Sequence, residues 1–248
     1  FGSRVGRSGP ETIDFVSRPA PSGPSSAMVR LVAALGLLLA SAAQAKLLIQ
    51  KPAPTFTLPA AMPDDSTKEV SLESLKGKYV ILFFYPYDFT FVCPTEIMAF
   101  NSKIDEFRSK NAEVLAVSTD SVHSHLAYRR LGPAEGGIGK IAYPILSDFK
   151  KEVSEAYDVL ADDGSSHRGT FLIDKSGVVR HQLVNDEPLG RSVDEAMRML
   201  DALQYFETNG KVCPAGFKAG DESLGPAGVS LEDRFKDVAG YLGKNYGK

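Results

Sequence analysis

The sequence predicts an α/β domain built on a mixed central β-sheet with helices on its faces. Three observations lead there. Tyr79-Val-Ile-Leu-Phe-Phe84 is a continuous apolar run of β-formers, as expected of a strand buried on both faces. Segments with apolar residues at helical spacing alternate with such strands along the chain. Late in the sequence, two strand-like runs flank Lys175-Ser176-Gly177, which is turn chemistry for a hairpin.

The elements follow in order. Lys51-Pro-Ala-Pro-Thr-Phe56 reads as an extended lead-in, because each proline biases its predecessor away from helix. Residues 70–75 read as a short connection to the first buried strand. One helix is expected over about 94–108, where Ile97, Phe100, Ile104 and Phe107 share a face. Residues 113–118 form a second buried strand, 121–131 a helix, 132–139 a glycine-rich loop, and 154–157 part of a short helix. The hairpin pairs 169–174 with a strand ending near Leu183. Val193, Ala196, Met197, Leu200 and Leu203 then trace an amphipathic helix. Beyond Cys213 the chain turns Pro- and Gly-rich and closes with a helix over about 231–242, too small to be a domain of its own. The expected organisation is one domain over 46–208 and an arm over 209–248.

The N-terminal region reads differently. Residues 1–27 are rich in Ser, Pro, Gly and Arg without helical or strand period, which suggests disorder or a translated upstream segment. From Met28, Arg30 supplies a positive start, 31–40 an apolar stretch, and Ala43-Gln44-Ala45 a small-x-small cleavage site. This pattern predicts a secretory signal peptide over 28–45, with Lys46 as the first mature residue; an organellar presequence is the alternative, with a cytoplasmic protein if neither holds.

Composition excludes several function classes. The chain of 248 residues is 43% hydrophobic and 24% charged, with a formal net charge of -3 and no long run of one sign. That argues against nucleic acid or an anionic membrane surface as the main partner. Its two cysteines, Cys93 and Cys213, form no CxxC, so neither a local redox dithiol nor a zinc knuckle is expected. His123 and His125 diverge at their spacing and are weak candidates for a metal site. No GxGxxG or phosphate-binding loop is present, and no cofactor is expected.

The chemistry concentrates in Phe84-Tyr-Pro86-Tyr-Asp-Phe-Thr90-Phe-Val-Cys93-Pro94-Thr95-Glu96. A buried strand ends, a proline-bearing loop turns, and a helix begins at or just before Cys93. Pro94 suits the first helical turn, where its missing N–H costs nothing. Cys93 therefore sits at the positive end of a helix, where backbone N–H groups and the dipole favour a thiolate, the reactive form of the thiol. Thr90 is placed to bring its hydroxyl beside the sulfur. An inert core cysteine is the competing reading on these residues alone.

Pro86-x-x-x-Thr90-x-x-Cys93 resembles the signature of the peroxiredoxin family, and Phe-Thr-Phe-Val-Cys-Pro-Thr-Glu over 89–96 resembles its typical two-cysteine branch. The resemblance continues through His167-Arg168-Gly169, Gly190-Arg191-Ser-Val-Asp-Glu195 and Val212-Cys213-Pro-Ala-Gly216, in family order. It implies a thioredoxin-like fold with a C-terminal dimer-exchange arm, and a peroxidase acting on hydrogen peroxide and alkyl hydroperoxides. By resemblance, Cys93 is the peroxide-attacking cysteine and Cys213 the resolving one. Arg168 stands by the sulfur, Thr90 bonds the peroxide, and Pro86 shields the pocket. Glu96 and Arg191 orient Arg168, with a purely structural ion pair as the alternative. The resemblance further implies a disulfide between Cys93 and Cys213 of two subunits, a homodimer assembling into a decamer, and recycling by thioredoxin or a similar dithiol. A holdase role is the competing function.

Two positions depart from the family pattern. Phe217 stands where the family has Trp, and is expected to keep an apolar anchor. Tyr241-Leu242 stands where members sensitive to over-oxidation carry Tyr-Phe, which leaves that sensitivity open despite the Gly136-Gly137-Ile138-Gly139 loop.

Overall fold

Strand β3, Tyr79–Phe84, is the axis of the structure. All six of its residues are buried, and they divide by parity. Tyr79, Ile81 and Phe83 enter one apolar cluster, while Val80, Leu82 and Phe84 enter the other, so the strand joins two cores through one sheet. The computed structural model describes residues 46–226 and 228–247.

Six further strands complete the main sheet: β1 Thr57–Ala61, β2 Thr67–Ser71, β4 Ala112–Ser118, β5 Ile145–Ser147, β6 Arg168–Ile173 and β7 Val179–Asn185. Their order is β2-β1-β5-β4-β3-β6-β7. The β3–β4 and β4–β5 pairs are parallel and the other four antiparallel, the mixed sheet that the sequence predicts. The expected hairpin is β6–β7, with Asp174 accepting from the amides of Ser176 and Val178 to fix the turn.

Helices α1 Cys93–Ser102, α2 Ile104–Ser109 and α5 Val193–Asn209 pack on the first face. Phe100 of α1 stacks on Phe83 with ring centroids 4.3 Å apart, fixing α1 over the end of β3. Val153 of the short α4, Glu152–Ala156, joins the second cluster with Tyr157, Val159 and Phe171. Helix α3, Val122–Arg130, starts at a Ser121 cap whose side chain accepts from the Ser124 amide. The chain continues through a two-stranded ribbon, β8 Lys211–Val212 and β9 Leu224–Pro226, into α6, Leu231–Asn245.

Two expectations need correction, and two strands of the main sheet, β1 and β5, went unpredicted. The single helix over 94–108 is two helices, broken at Lys103, whose backbone lies at φ -111°, ψ 9°. Its N–H turns back to Phe100 O at 3.2 Å, and this tight turn lets Ile104 and Phe107 stay against the sheet. The β1–β2 hairpin follows the lead-in, and residues 70–75, read as a connection, begin inside β2. Within β1, β5 pairs only with Ala60 and Ala61, so Pro59, which has no N–H, is tolerated there. Strand β5 has three residues, too few for a period. The leader and the segment before it lie outside the described residues.

Candidate active site

The backbone that leaves β3 determines where Cys93 sits. Tyr85 donates its N–H to Val117 O at 2.9 Å, extending the β3–β4 pairing by one residue. Pro86 follows, buried, and the loop then reverses at Phe89, which lies in the left-handed region at φ 57°. Cys93 is the first residue of α1, fully buried, with Pro94 in the first turn. The amides of Thr95 and Glu96 both bond to Val92 O, at 3.0 and 3.3 Å. The helix end therefore acts on the sulfur through its dipole more than through the several free N–H groups that the sequence suggested.

Arg168 comes to the sulfur from the neighbouring strand. Thr170 of β6 pairs with Phe83, so Arg168 lies beyond the end of β3, where the loop departs. Its Nη1 is 3.4 Å from Cys93 Sγ and 2.7 Å from Glu96 Oε2, and its Nε donates to Glu187 O at 2.5 Å. Gly169 beside it has a packing reason: a Cβ there would lie 2.7 Å from Val159 Cγ1. Burial opposes the Arg168 charge, but the Cys93 sulfur and the Glu96 carboxylate hold the guanidinium above its ordinary value.

Glu96, on the turn of α1 that follows Cys93, is the hub. Its carboxylate accepts from Arg168 Nη1 and from the N–H, Nε and Nη2 of Arg191, the last three at 2.9 Å. Both salt bridges are buried, with side chains at most 3% exposed. Burial alone would raise the Glu96 carboxyl; the Arg191 hydrogen bonds and charge, joined by the Arg168 charge, outweigh it and hold the group below its ordinary value. Arg191 is fixed in turn by Phe84 O at 2.7 Å and Gly169 O at 2.8 Å, and lies over the Phe83 ring at 5.0 Å. Two cations and one buried carboxylate thus leave net positive charge facing the thiol, a setting that stabilises negative charge on sulfur or on an oxygen brought to it.

The structure brings together Cys93, Arg168, Glu96 and Arg191, with Pro86 on the adjoining loop. The Thr90 hydroxyl donates to Tyr87 O at 3.0 Å, which leaves its oxygen as an acceptor. Cys213 lies apart. It follows β8, half-buried, with Sγ 3.5 Å from Ala202 O, and opens on a cleft of about 240 Å³ beside Leu172, Met199, Leu203 and Phe206. Burial pushes its thiol above the ordinary range, against a lowering by Arg198. Both thiols are free. Phe217 is buried against Tyr205, the apolar anchor expected of it.

Sequence reasoning missed a second buried polar cluster beside the loop. His125 Nδ1 lies 2.9 Å from Asp88 Oδ2, and its Nε2 lies 3.2 Å from Leu146 O. Tyr85 and Ser124 hydroxyls also donate to Asp88, each at 2.7 Å, and the Asp88 amide donates to Asp120 at 2.9 Å. No short motif signals this cluster, because Asp88 and His125 are 37 residues apart.

Comparison with known proteins gives the family. The model of the AhpC/TSA family matches residues 49–182. Peroxiredoxin-2 of Macaca fascicularis is 51% identical over 179 residues, covering 72% of this chain and 90% of that protein. The mitochondrial thioredoxin-dependent peroxide reductase of Drosophila melanogaster is 51% identical over 182 residues, 73% of this chain and 77% of its own length. The crystal structure of reduced Plasmodium vivax 2-Cys peroxiredoxin superposes with a TM-score of 0.75 at 45% identity, covering 79% of this chain and 99% of that one. The fold is that of these thioredoxin-like peroxiredoxins. The chain belongs to the AhpC/TSA family as a typical two-cysteine peroxiredoxin, an oxidoreductase that reduces peroxides through a thiol.

Proposed function

We propose that Cys93 is the thiol that attacks peroxide and that Cys213 of a second subunit resolves the product. The observation that carries this reading is the 3.4 Å contact between Arg168 Nη1 and the buried Cys93 Sγ at a helix N-terminus. The Cys93 thiolate attacks one oxygen of ROOH, the O–O bond breaks, and the departing RO⁻ takes a proton to leave as alcohol or water. Cys93 becomes a sulfenic acid. Arg168 and the helix dipole stabilise charge on both the thiolate and the departing oxygen. Glu96 and Arg191 fix the Arg168 guanidinium, Thr90 offers its oxygen to the peroxide proton, and Pro86 keeps water from the sulfur.

Resolution forms an S–S bond between Cys93 and Cys213 and releases water. The two thiols are separate within one chain, and Cys213 belongs to residues 209–248, which carry no buried position in α6. That segment is an arm that packs on a partner, so the bridge forms between subunits. In a two-fold dimer one bridge implies its mirror. A dithiol of the thioredoxin kind reduces the bridge by exchange, and dimers assemble into a decamer. Segment 28–45 is a targeting leader; the mitochondrial relative from Drosophila supports an organellar destination over the secretory one, and N-terminal sequencing of the native protein decides between them.

The test mixes Cys93→Ser with Cys213→Ser protein, allows subunits to exchange, and adds peroxide. Disulfide-linked heterodimers on a non-reducing gel are expected. Wild-type protein that oxidises fully yet runs only as monomer overturns the intersubunit bridge. Chaperone activity that survives Cys93→Ser would mark a separate holdase function.

A further inference from the structure

We infer that Asp88 and His125 are positioning residues for the peroxidase reaction: they clamp the first half of the active-site loop and set Phe89 as the hinge where that loop opens. The inference rests on the reading of Cys93 as the attacking thiol, whose sulfur must leave a closed pocket to reach Cys213.

The loop between β3 and α1 is anchored unevenly. Tyr85 and Asp88 are tied to three other elements. The Tyr85 amide bonds to Val117 of β4, and its hydroxyl to Asp88. The Asp88 amide bonds to Asp120, itself held by the Ser118 hydroxyl at 2.8 Å. The Asp88 carboxylate takes the Ser124 hydroxyl and His125 of α3, and His125 reaches on to Leu146 of β5. Asp88 and His125 side chains are at most 1% exposed. Leu146 O only accepts, so His125 donates to it through Nε2, and Nδ1 makes the 2.9 Å contact with Asp88 Oδ2. A hydrogen bond of this kind, fully buried, is costly to break because either partner left alone would be buried unsatisfied.

The stretch from Thr90 to Val92 lacks such side-chain ties to other elements. Thr90 bonds only within the loop, to Tyr87 O, and Phe91 is 96% exposed. The boundary falls at Phe89, a non-glycine residue at φ 57° whose ring leans on Tyr128 at 4.7 Å. The Tyr128 hydroxyl is buried without a well-formed hydrogen bond among the described residues, so the α3 surface under Phe89 holds it chiefly by ring packing. Strain on one side of a fixed anchor and weak bonding on the other define a hinge. Opening therefore unwinds 90–93 while Pro86, Asp88 and the Glu96 hub stay in place, and the pocket can close again without refolding the whole loop.

Hydrogen exchange of the reduced protein, read by mass spectrometry on overlapping peptides, tests this. In wild type, amides of 90–93 should exchange faster than those of Tyr85 and Asp88. In His125→Leu the Tyr85 and Asp88 amides should accelerate about ten-fold or more, with β6–β7 unchanged. His125→Gln, which keeps one polar bond, should fall between. The freed loop should also shift oxidised Cys93 from sulfinic acid toward disulfide at a fixed peroxide dose, an effect that general destabilisation would not direct. If His125→Leu does not fold, Tyr85→Phe removes one bond to Asp88 and should give a smaller shift of the same sign. Slow Tyr85 and Asp88 amides in a folded variant, or no boundary at Phe89 in wild type, overturn the clamp. Failure of peroxide to oxidise Cys93 in wild type would instead overturn the reading on which it rests.

Discussion

Replacing Glu96 with Gln tests how the site manages its charge. The Glu96 carboxylate accepts four hydrogen bonds from two guanidinium groups and a backbone amide, all at 2.7–2.9 Å and with almost no solvent. The amide of Gln keeps the shape but turns an NH₂ toward donors and removes the counter-charge of Arg168 and Arg191. Breaking a buried ion pair from one side costs about 3–5 kcal/mol. For a domain of this size that corresponds to a fall in Tm of roughly 6–20 °C. The same change frees Arg168 Nη1 from its 2.7 Å partner and loosens its aim at Cys93, so peroxide attack should slow by about ten-fold or more. Urea titrations of reduced wild type and Glu96→Gln, at one fixed protomer concentration, give the stability difference. The pH dependence checks the cause. The Glu96 pKa is depressed in the folded protein, so its contribution is present above the unfolded carboxylate value of about 4.3 and is lost as pH falls through the lower folded one. The gap between the two proteins should be constant from neutral pH to about 5 and close in stronger acid. A gap below about 1 kcal/mol at neutral pH, or one that persists through pH 3, refutes Glu96 as the charged hub.

Further outcomes follow from other parts of the structure. Arg168→Ala should slow both peroxide attack and iodoacetamide alkylation of Cys93, by about a hundred-fold for the former, while circular dichroism stays native; equal rates would remove Arg168 from the site. In Cys93→Ser protein, alkylation of Cys213 should show a midpoint above that of an ordinary thiol, since burial raises it, and a midpoint at or below the ordinary one contradicts the half-buried setting. Truncation after Gly228 removes α6, which buries no residue, so the protomer should keep its melting behaviour while disulfide formation speeds up and sulfinic acid declines; lost stability of the main sheet would show that α6 belongs to the core. Gly137→Ala should disrupt the 136–139 loop, because a Cβ there would meet Leu131 O at 2.2 Å; a variant with unchanged proteolysis of that loop contradicts this.

Much of this was legible in the sequence, for identifiable reasons. Strand β3 and the β6–β7 hairpin stood out because a two-sided apolar run and a Lys-Ser-Gly turn are local signals. Cys93, Arg168, Glu96 and Arg191 were legible because the family motif spans them, although 75 residues separate Arg168 from Cys93. The β1–β2 hairpin was hidden by Pro59 and by the polar Lys68 and Glu69, which face solvent on an edge strand. The break at Lys103 left no mark, since a 3-4-3 spacing of apolar residues fits one helix or two. The Asp88–His125 contact arises only when the loop after β3 meets α3, and a histidine two positions from another carries no signal of burial. The bond from Thr90 to Tyr87 O left no sequence signal, because a hydroxyl in a tight loop finds a nearby carbonyl only once the loop is folded.

The central claim is that peroxide reacts at Cys93 and not at Cys213. Trapping sulfenic acid measures it directly. Cys213→Ser protein, reduced and mixed with one equivalent of hydrogen peroxide in the presence of dimedone, should carry the adduct on the Cys93 peptide by mass spectrometry, within the first turnover. An adduct on Cys213 in Cys93→Ser protein at a comparable rate, or none on Cys93 while peroxide is consumed, would contradict the account.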